Sequence, residues 1–304
     1  SAGPASATAA GLCGFAIGTE TLGSIVSPCQ RCGTTGLRPT FGRVPRTGAM
    51  VLASSLDKVG PICRSVEDTA MVLAALNGID PQDRASIAAP FHFVADRKIS
   101  GLRLGYLADA FGSDASEIDK HALDVSRNLG MDLREVSLPD LPYEALRHIL
   151  MAEAAANFAE LTVTGRDDLL SVQSVEAWPN TFRRARFMSA VDHVQLDKLR
   201  YLTMQALDTL FRQVDVLIGP FSTGPMMVAS NFTGHPCLHL PAGFEQRSSR
   251  PAYGLGDPSS QEGPLHRVPS GISLWAGLFQ EGLLINTGMM LEQALDVTSQ
   301  RPEL

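Results

Sequence analysis

The chain has 304 residues, is 44% hydrophobic and carries a formal net charge of −7 at pH 7. That length holds one large α/β domain or two small ones, and the acidic balance argues against direct binding of nucleic acid, which needs clustered Lys and Arg. No run of about 18 uncharged apolar residues occurs, and no basic segment precedes an apolar one at the amino end, so neither a membrane span nor a signal peptide is expected. In chain order, "ASATAAG" (5–11) predicts a short packed helix and "CGFAIG" (13–18) a short buried strand. Ser65 followed by Glu67 and Asp68 reads as the cap and acidic first turn of a helix through "TAMVLAALNG", which Asn77-Gly78 can end. "LRLGYL" (102–107), the helical "SEIDKHALDVSRNLG" and "MDLREVSLP" form a β-α-β pattern, with a crossover long enough for parallel strands.

Helical spacing dominates from 143 to 212, with an interruption near "AWPNTF", and predicts a helical layer carried on the sheet. The basic stretch "FRRARF" (182–187) reads as one face of a helix. Strands are expected again at "VDVLIGP" (214–220), "HPCLHLPAGF" and "PSGISLWAG", with an exposed Gly/Pro/Ser/Gln-rich loop from 248 to 264 between the last two. "EGLLINTGMMLEQALDV" closes the chain as an amphipathic helix. The fold class is therefore α/β: a mixed sheet covered by helices, in one domain over 1–304.

Five cysteines, an odd number, fit a reducing compartment, and cytoplasm is the expectation. Cys29-x-x-Cys32 invites a zinc or redox reading, but no second ligand pair lies at a suitable spacing, and packing is the simpler role. His235 and His239 lie in a proline-bounded extended segment that does not suit a metal pair. No G-x-S-x-G elbow occurs, so an ordinary Ser-His-Asp triad has no obvious nucleophile position. Ser24 stands out locally. It follows Thr21-Leu22-Gly23 at the end of a predicted strand, where successive N–H groups can converge on an oxyanion, although serines also cap helices in just this setting.

The ordered segments "SAGPASATAAGLCGFAIGTETLGSIVSP", "CGTTGLRPTFGRVPRTG", "SSLDKVGPICRSVEDTAMVL", "NFTGHPCLHLPAGF" and "GISLWAGLFQEGLLINTGMMLEQA" together resemble the amidase signature family. The resemblance implies the amidase signature fold and a Ser/cis-Ser/Lys amide hydrolase. Ser24 matches the nucleophile, and the backbone amides of Thr21, Leu22, Gly23 and Ser24 match the oxyanion hole. Ser1 matches the second serine of the Ser-Ser pair, as relay support. The bridging cis-serine would then precede Ser1 and the base lysine would lie farther upstream, so the chain is expected to lack the amino-terminal part of the domain. Lys58, Lys98, Lys120 and Lys198 all follow the motif and are not that base. No histidine, metal or cofactor is required.

Glu20 replaces the family's usual Asp, Leu22 replaces the first Gly, and Val26 stands where Arg is common. Asp57 and Arg64 fall in matched segments as a candidate supporting ion pair, and Phe158, Trp178, Phe187, Met188 and Trp275 are candidate pocket residues. The implied substrate is a small-molecule carboxamide, carbamate or aryl amide, and a homodimer is compatible with this reading. The alternatives are the amide-transfer subunit of a tRNA-dependent amidotransferase and a catalytically inactive binding relative.

Overall fold

In the computed structural model, which describes residues 1–95, 99–221, 223–248 and 264–300, the amino end forms helix α1 (Ala2–Ala9) and strand β1 (Ala16–Glu20). β1 differs from the buried strand expected of it: it is an edge strand that turns only Gly18 and Glu20 inward and leaves Ile17 39% exposed. It leads through a turn into α2 (Val26–Cys32) and then into β2 (Thr35–Arg38) and β3 (Lys58–Cys63). Side chains of β2 and most of β3 are buried irrespective of alternation, which is why no period-two pattern announces them.

The expected capped helix is α3 (Val66–Leu76), with the Ser65 hydroxyl accepting the Asp68 N–H. The β-α-β unit is β4 (Arg103–Leu107), α4 (Glu117–Asn128) and β5 (Asp132–Val136), its strands parallel as the crossover length requires. The helical layer comprises α5 (Arg147–Asn157), α6 (Ala159–Val163), α7 (Trp178–Ala185) and α8 (Ala190–Gln213). Pro179 starts α7 rather than breaking a longer helix, because a first-turn residue needs no N–H acceptor. The basic stretch lies on this helix, where Arg183 pairs with Asp167 at 2.7 Å and Asp168 at 2.6 Å.

The chain ends through β6 (Val216–Pro220), α9 (Met226–Thr233), β7 (Cys237–Ser248), β8 (Leu265–Ala276) and α10 (Glu281–Leu295). Most of the loop expected between β7 and β8, residues 249–263, lies outside the described residues, as does Lys98. The eight strands form one mixed sheet in the order β1, β3, β2, β7, β8, β6, β4, β5. Alternation on the central pair separates two cores. Leu238, Leu240, Ile272 and Leu274 face α3, α4 and α10, while Cys237 and Trp275 face α2 and α8. Gly288 lets α10 approach β7, since a Cβ there would collide with the Leu238 side chain.

Glu292 of α10 accepts the Val66 N–H at the start of α3, at 3.0 and 3.2 Å. Burial pushes its carboxyl up from 4.5 to about 7 despite that bond, and Asp68 and Glu67 add to the rise. A carboxyl raised in the fold binds its proton more tightly there than in the unfolded chain, so its stabilising effect is complete below about 4.5 and lost as pH rises through about 7. Glu292→Gln keeps an acceptor for Val66 without the charge. It is expected to stabilise the protein by on the order of 2 kcal/mol above pH 7 and to flatten the pH dependence of Tm below it. An unchanged Tm profile between pH 4.5 and 8 would remove Glu292 from this role.

Candidate active site

β1 ends at Glu20 and α2 begins at Val26, and the five residues Thr21 to Ile25 make the turn between them, with Ile25 at the cap of α2. Gly23 adopts φ +86°, a conformation that a side chain would strain, and a Cβ there would come within 3.3 Å of Met227 Sδ. Leu22 keeps a negative φ and packs with Leu56, Val228 and Phe232, so its side chain has space beside the turn. The turn is fixed from beneath by Glu20, which is 0% exposed. One carboxylate oxygen accepts the N–H groups of Ile25 at 2.8 Å and Val26 at 3.1 Å. The other accepts Arg38 Nη1 at 2.7 Å and Asn231 Nδ2 at 2.9 Å. Burial pushes the Glu20 carboxyl up, but the charge and hydrogen bond of Arg38, together with Lys58 and the Asn231 amide, more than offset it and hold the group at about 2.

Glu20 thus occupies the amides of residues 25 and 26, while the N–H groups of Thr21, Leu22, Gly23 and Ser24 donate to no acceptor among the described residues. Ser24 is exposed, and its hydroxyl has no hydrogen-bond partner among them. Arg38 also donates to Ser230 Oγ and the His235 carbonyl, both at 2.8 Å, and so ties the turn to α9 and the start of β7. The buried cation near the turn therefore comes from β2, whereas position 26 holds a fully buried Val.

A second support comes from Asp57. One of its oxygens accepts the Thr21 hydroxyl at 2.6 Å, and the other accepts the Leu52 and Ala53 N–H groups at 2.8 and 3.0 Å. The expected Asp57–Arg64 ion pair does not form: Asp57 is spent on the turn, and the Arg64 guanidinium lies near Gly11. Residues 46–57 are in turn held to the helical layer through Ser55. Its hydroxyl donates to Glu153 Oε1 at 2.5 Å and accepts from Arg200 Nη1 at 2.9 Å, while Asn157 Nδ2 reaches the Leu52 carbonyl at 3.0 Å.

Together these segments enclose a cavity of about 770 Å³, lined by Ser24, Thr21 and Ser1 on one side and by the helical layer on the other. The Ser1 hydroxyl both donates to the Thr19 carbonyl at 3.1 Å and accepts the Thr19 N–H at 3.0 Å, so it holds β1 and makes no bond to Ser24. Of the candidate pocket residues, Phe158 and Trp178 line this cavity. Phe187 and Met188 line a separate groove between α7 and α8, and Trp275 is 1% exposed in the core of the sheet. Phe182 lines the cavity and was not among the candidates, because its place in "FRRARF" reads as part of a charged face.

Lys58 also lines the cavity, with its ammonium donating to the Leu56 carbonyl and, at 3.4 Å, to the Asn231 carbonyl. Burial holds its pKa well below the usual lysine range. No bond joins it to Ser24. The five cysteines are unpaired, and Cys29 packs among Ala5, Ile25 and Ile62 with Cys32 against them. His235 and His239 are buried, bonded to Thr233 and Ser273, and burial lowers them to about 4 and about 3. Among the described residues, no group of three His, Cys, Asp or Glu side chains is arranged to hold a metal ion, and no helix is long and apolar enough to cross a membrane.

The amidase family model matches residues 1–230. Over the whole chain, a glutamyl-tRNA(Gln) amidotransferase subunit from Pseudomonas savastanoi pv. phaseolicola is 33% identical, and 68% of that relative is covered. The peptide amidase of Stenotrophomonas maltophilia superposes with a TM-score of 0.75 at 26% identity, over 99% of this chain and 65% of that one. The corresponding glutamyl-tRNA(Gln) amidotransferase subunit from Thermotoga maritima shares the fold, with a TM-score of 0.72 at 22% identity over 96% of this chain and 64% of that one. The chain therefore spans about two thirds of the length of these relatives.

Proposed function

The chain belongs to the amidase signature family, and from that premise we propose that it carries the nucleophile and oxyanion hole of a serine-dependent amide hydrolase. The observation that carries this reading is the division of amides at the turn. Glu20 takes the N–H groups of Ile25 and Val26, and those of residues 21–24 find no acceptor among the described residues, beside a Ser24 hydroxyl that likewise has no partner among them and lines the cavity.

In this mechanism Ser24 Oγ attacks the amide carbon, and its proton passes through a bridging serine to a neutral lysine amine, both assigned ahead of Ser1. The carbonyl oxygen becomes an oxyanion facing the amides of Thr21, Leu22, Gly23 and Ser24. The relay then returns the proton to the leaving nitrogen as the C–N bond breaks, and water hydrolyses the ester on Ser24. Preorganised donors of this kind are worth about 10²–10³ in kcat each.

Incubating the full-length protein with a fluorophosphonate tests the assignment. The expected result is one phosphonyl adduct on the peptide that contains Ser24. A folded sample that stays unlabelled there would sink it. A second reading, the amide-transfer subunit of a tRNA-dependent amidotransferase, is favoured by the name of the relative at 33% identity. Co-purification of a second polypeptide, with glutaminase activity that depends on it, would put that reading first.

A further inference from the structure

The lining of the cavity that holds Ser24 is of two kinds. Thr21, Ser24 and Asp57 are polar, and Phe158, Trp178 and Phe182 bring aromatic rings from the helical layer. Phe158 and Phe182 stack with centroids 5.4 Å apart and planes at 17°, and Trp178 leans on Phe182 at 5.6 Å. The indole is 41% exposed and Phe158 is half-buried, while Phe182 is 4% exposed and backs them, so Trp178 and Phe158 carry the open aromatic face. Such a face receives a flat apolar group, because rings attract one another in offset or tilted stacks.

The charged groups of the cavity point to a neutral ligand. Arg46 and Lys58 are the cations among the described lining residues. Arg46 donates through Nε and Nη2 to Asp83 and through Nη1 to the carbonyls of Ser54 and Asp57. Lys58 is turned to the backbone carbonyls of Leu56 and Asn231. Neither offers the open fork or ammonium that a free carboxylate requires. Asp57 and Asp83 are equally committed, to Thr21 and backbone N–H groups and to Arg46, so a ligand ammonium finds no open carboxylate.

Resting on the reading of Ser24 as nucleophile, we infer that the substrate is a neutral amide bearing an aryl or comparably bulky apolar group, seated against Trp178 and Phe158 with Phe182 supporting them from behind. A free amino acid such as glutamine does not meet this description.

The test compares kcat/KM of the full-length protein on benzamide, acetanilide, acetamide and L-glutamine. The two aryl amides separate an acyl-side ring from a leaving-group ring. At least one of them is expected to exceed both acetamide and glutamine by about tenfold or more. Trp178→Ala should shrink the ratio of aryl amide to acetamide by roughly fivefold, and Trp178→Phe should keep most of it. Trp178→Leu serves where the Ala variant does not fold. Equal rates on acetamide, a preference for glutamine, or an undiminished ratio in the folded Trp178 variants would overturn the inference. Where no amide is turned over, the reading of Ser24 fails separately and calorimetry decides. Benzamide binding that weakens in Trp178→Ala supports the inference, and absent benzamide binding or tighter glutamine binding overturns it.

Discussion

Replacing Ser24 with Ala in the full-length protein is expected to lower amide hydrolysis by about 10³-fold or more, through kcat rather than KM. The side chain is exposed and has no hydrogen-bond partner among the described residues, so its removal leaves no buried group there unsatisfied and the melting temperature should stay unchanged. The proposed mechanism assigns substrate affinity to the cavity walls, and calorimetric binding of an unreacted amide should therefore survive the substitution. A variant that keeps a tenth of the wild-type kcat would exclude Ser24 as the attacking atom, whatever the labelling showed. The proposed mechanism uses Thr21, Leu22 and Gly23 through their backbone N–H groups, which side-chain truncation leaves in place. For that reason Ser24→Ala is the more incisive substitution in the turn.

Glu20→Ala should have the largest effect on stability, a loss of about 3–5 kcal/mol, because it strands the Arg38 guanidinium at 0% exposure. It also releases the N–H groups of Ile25 and Val26, so the turn loosens and the remaining folded enzyme should lose kcat. Glu20→Leu combined with Arg38→Met removes both charges and is expected to cost less than Glu20→Ala alone. Denaturant unfolding measures all three, and a Glu20→Ala loss under about 1 kcal/mol would show that the pair is dispensable. The pH dependence carries its own sign. A carboxyl held at about 2 in the fold, against 4.5 in the unfolded chain, contributes stability that is present above about 4.5 and fades as pH falls toward 2. This acid-side loss should be absent from the double variant. It is opposite in direction to the loss from Glu292, which appears as pH rises toward about 7.

Much of the architecture was readable because it depends on local periodicity. The capped helix after Ser65 and the helix Glu117–Asn128 of the parallel unit each bury one regular face, whereas the closing helix, expected to be amphipathic, buries 284–288 consecutively because it lies between the sheet and α3. β2 and β3 were missed because Gly36, Gly60 and Pro61 lie in short strands buried irrespective of alternation, which carry neither period nor high strand propensity. Ser24 became a candidate nucleophile only through the ordered resemblance of the segments around it, since a helix-capping serine has the same local sequence. The partners of Glu20 were beyond any local reading: Asn231 lies 211 residues away, and sheet pairing brings Arg38 across from another strand. The Asp57–Arg64 pair was an error of the same origin. Two charges in neighbouring matched segments invited pairing, whereas strand β3 carries Arg64 away from the turn that claims Asp57.

Ser55 joins two parts of the molecule with different histories to serve. On one side of it stands the loop that fixes Thr21 through Asp57, and on the other stand Glu153 and Arg200 of the helical layer. The turn that holds the proposed nucleophile is thus written in the first quarter of the chain, and the aromatic wall in residues 158–182. On the proposed reading, changes in the wall redirect which amide is accepted while the turn stays constant, provided that the Ser55 joint is kept. Divergence in substrate range then needs no compromise with the chemistry, and exchange of the helical segment between relatives becomes a workable route to new preferences.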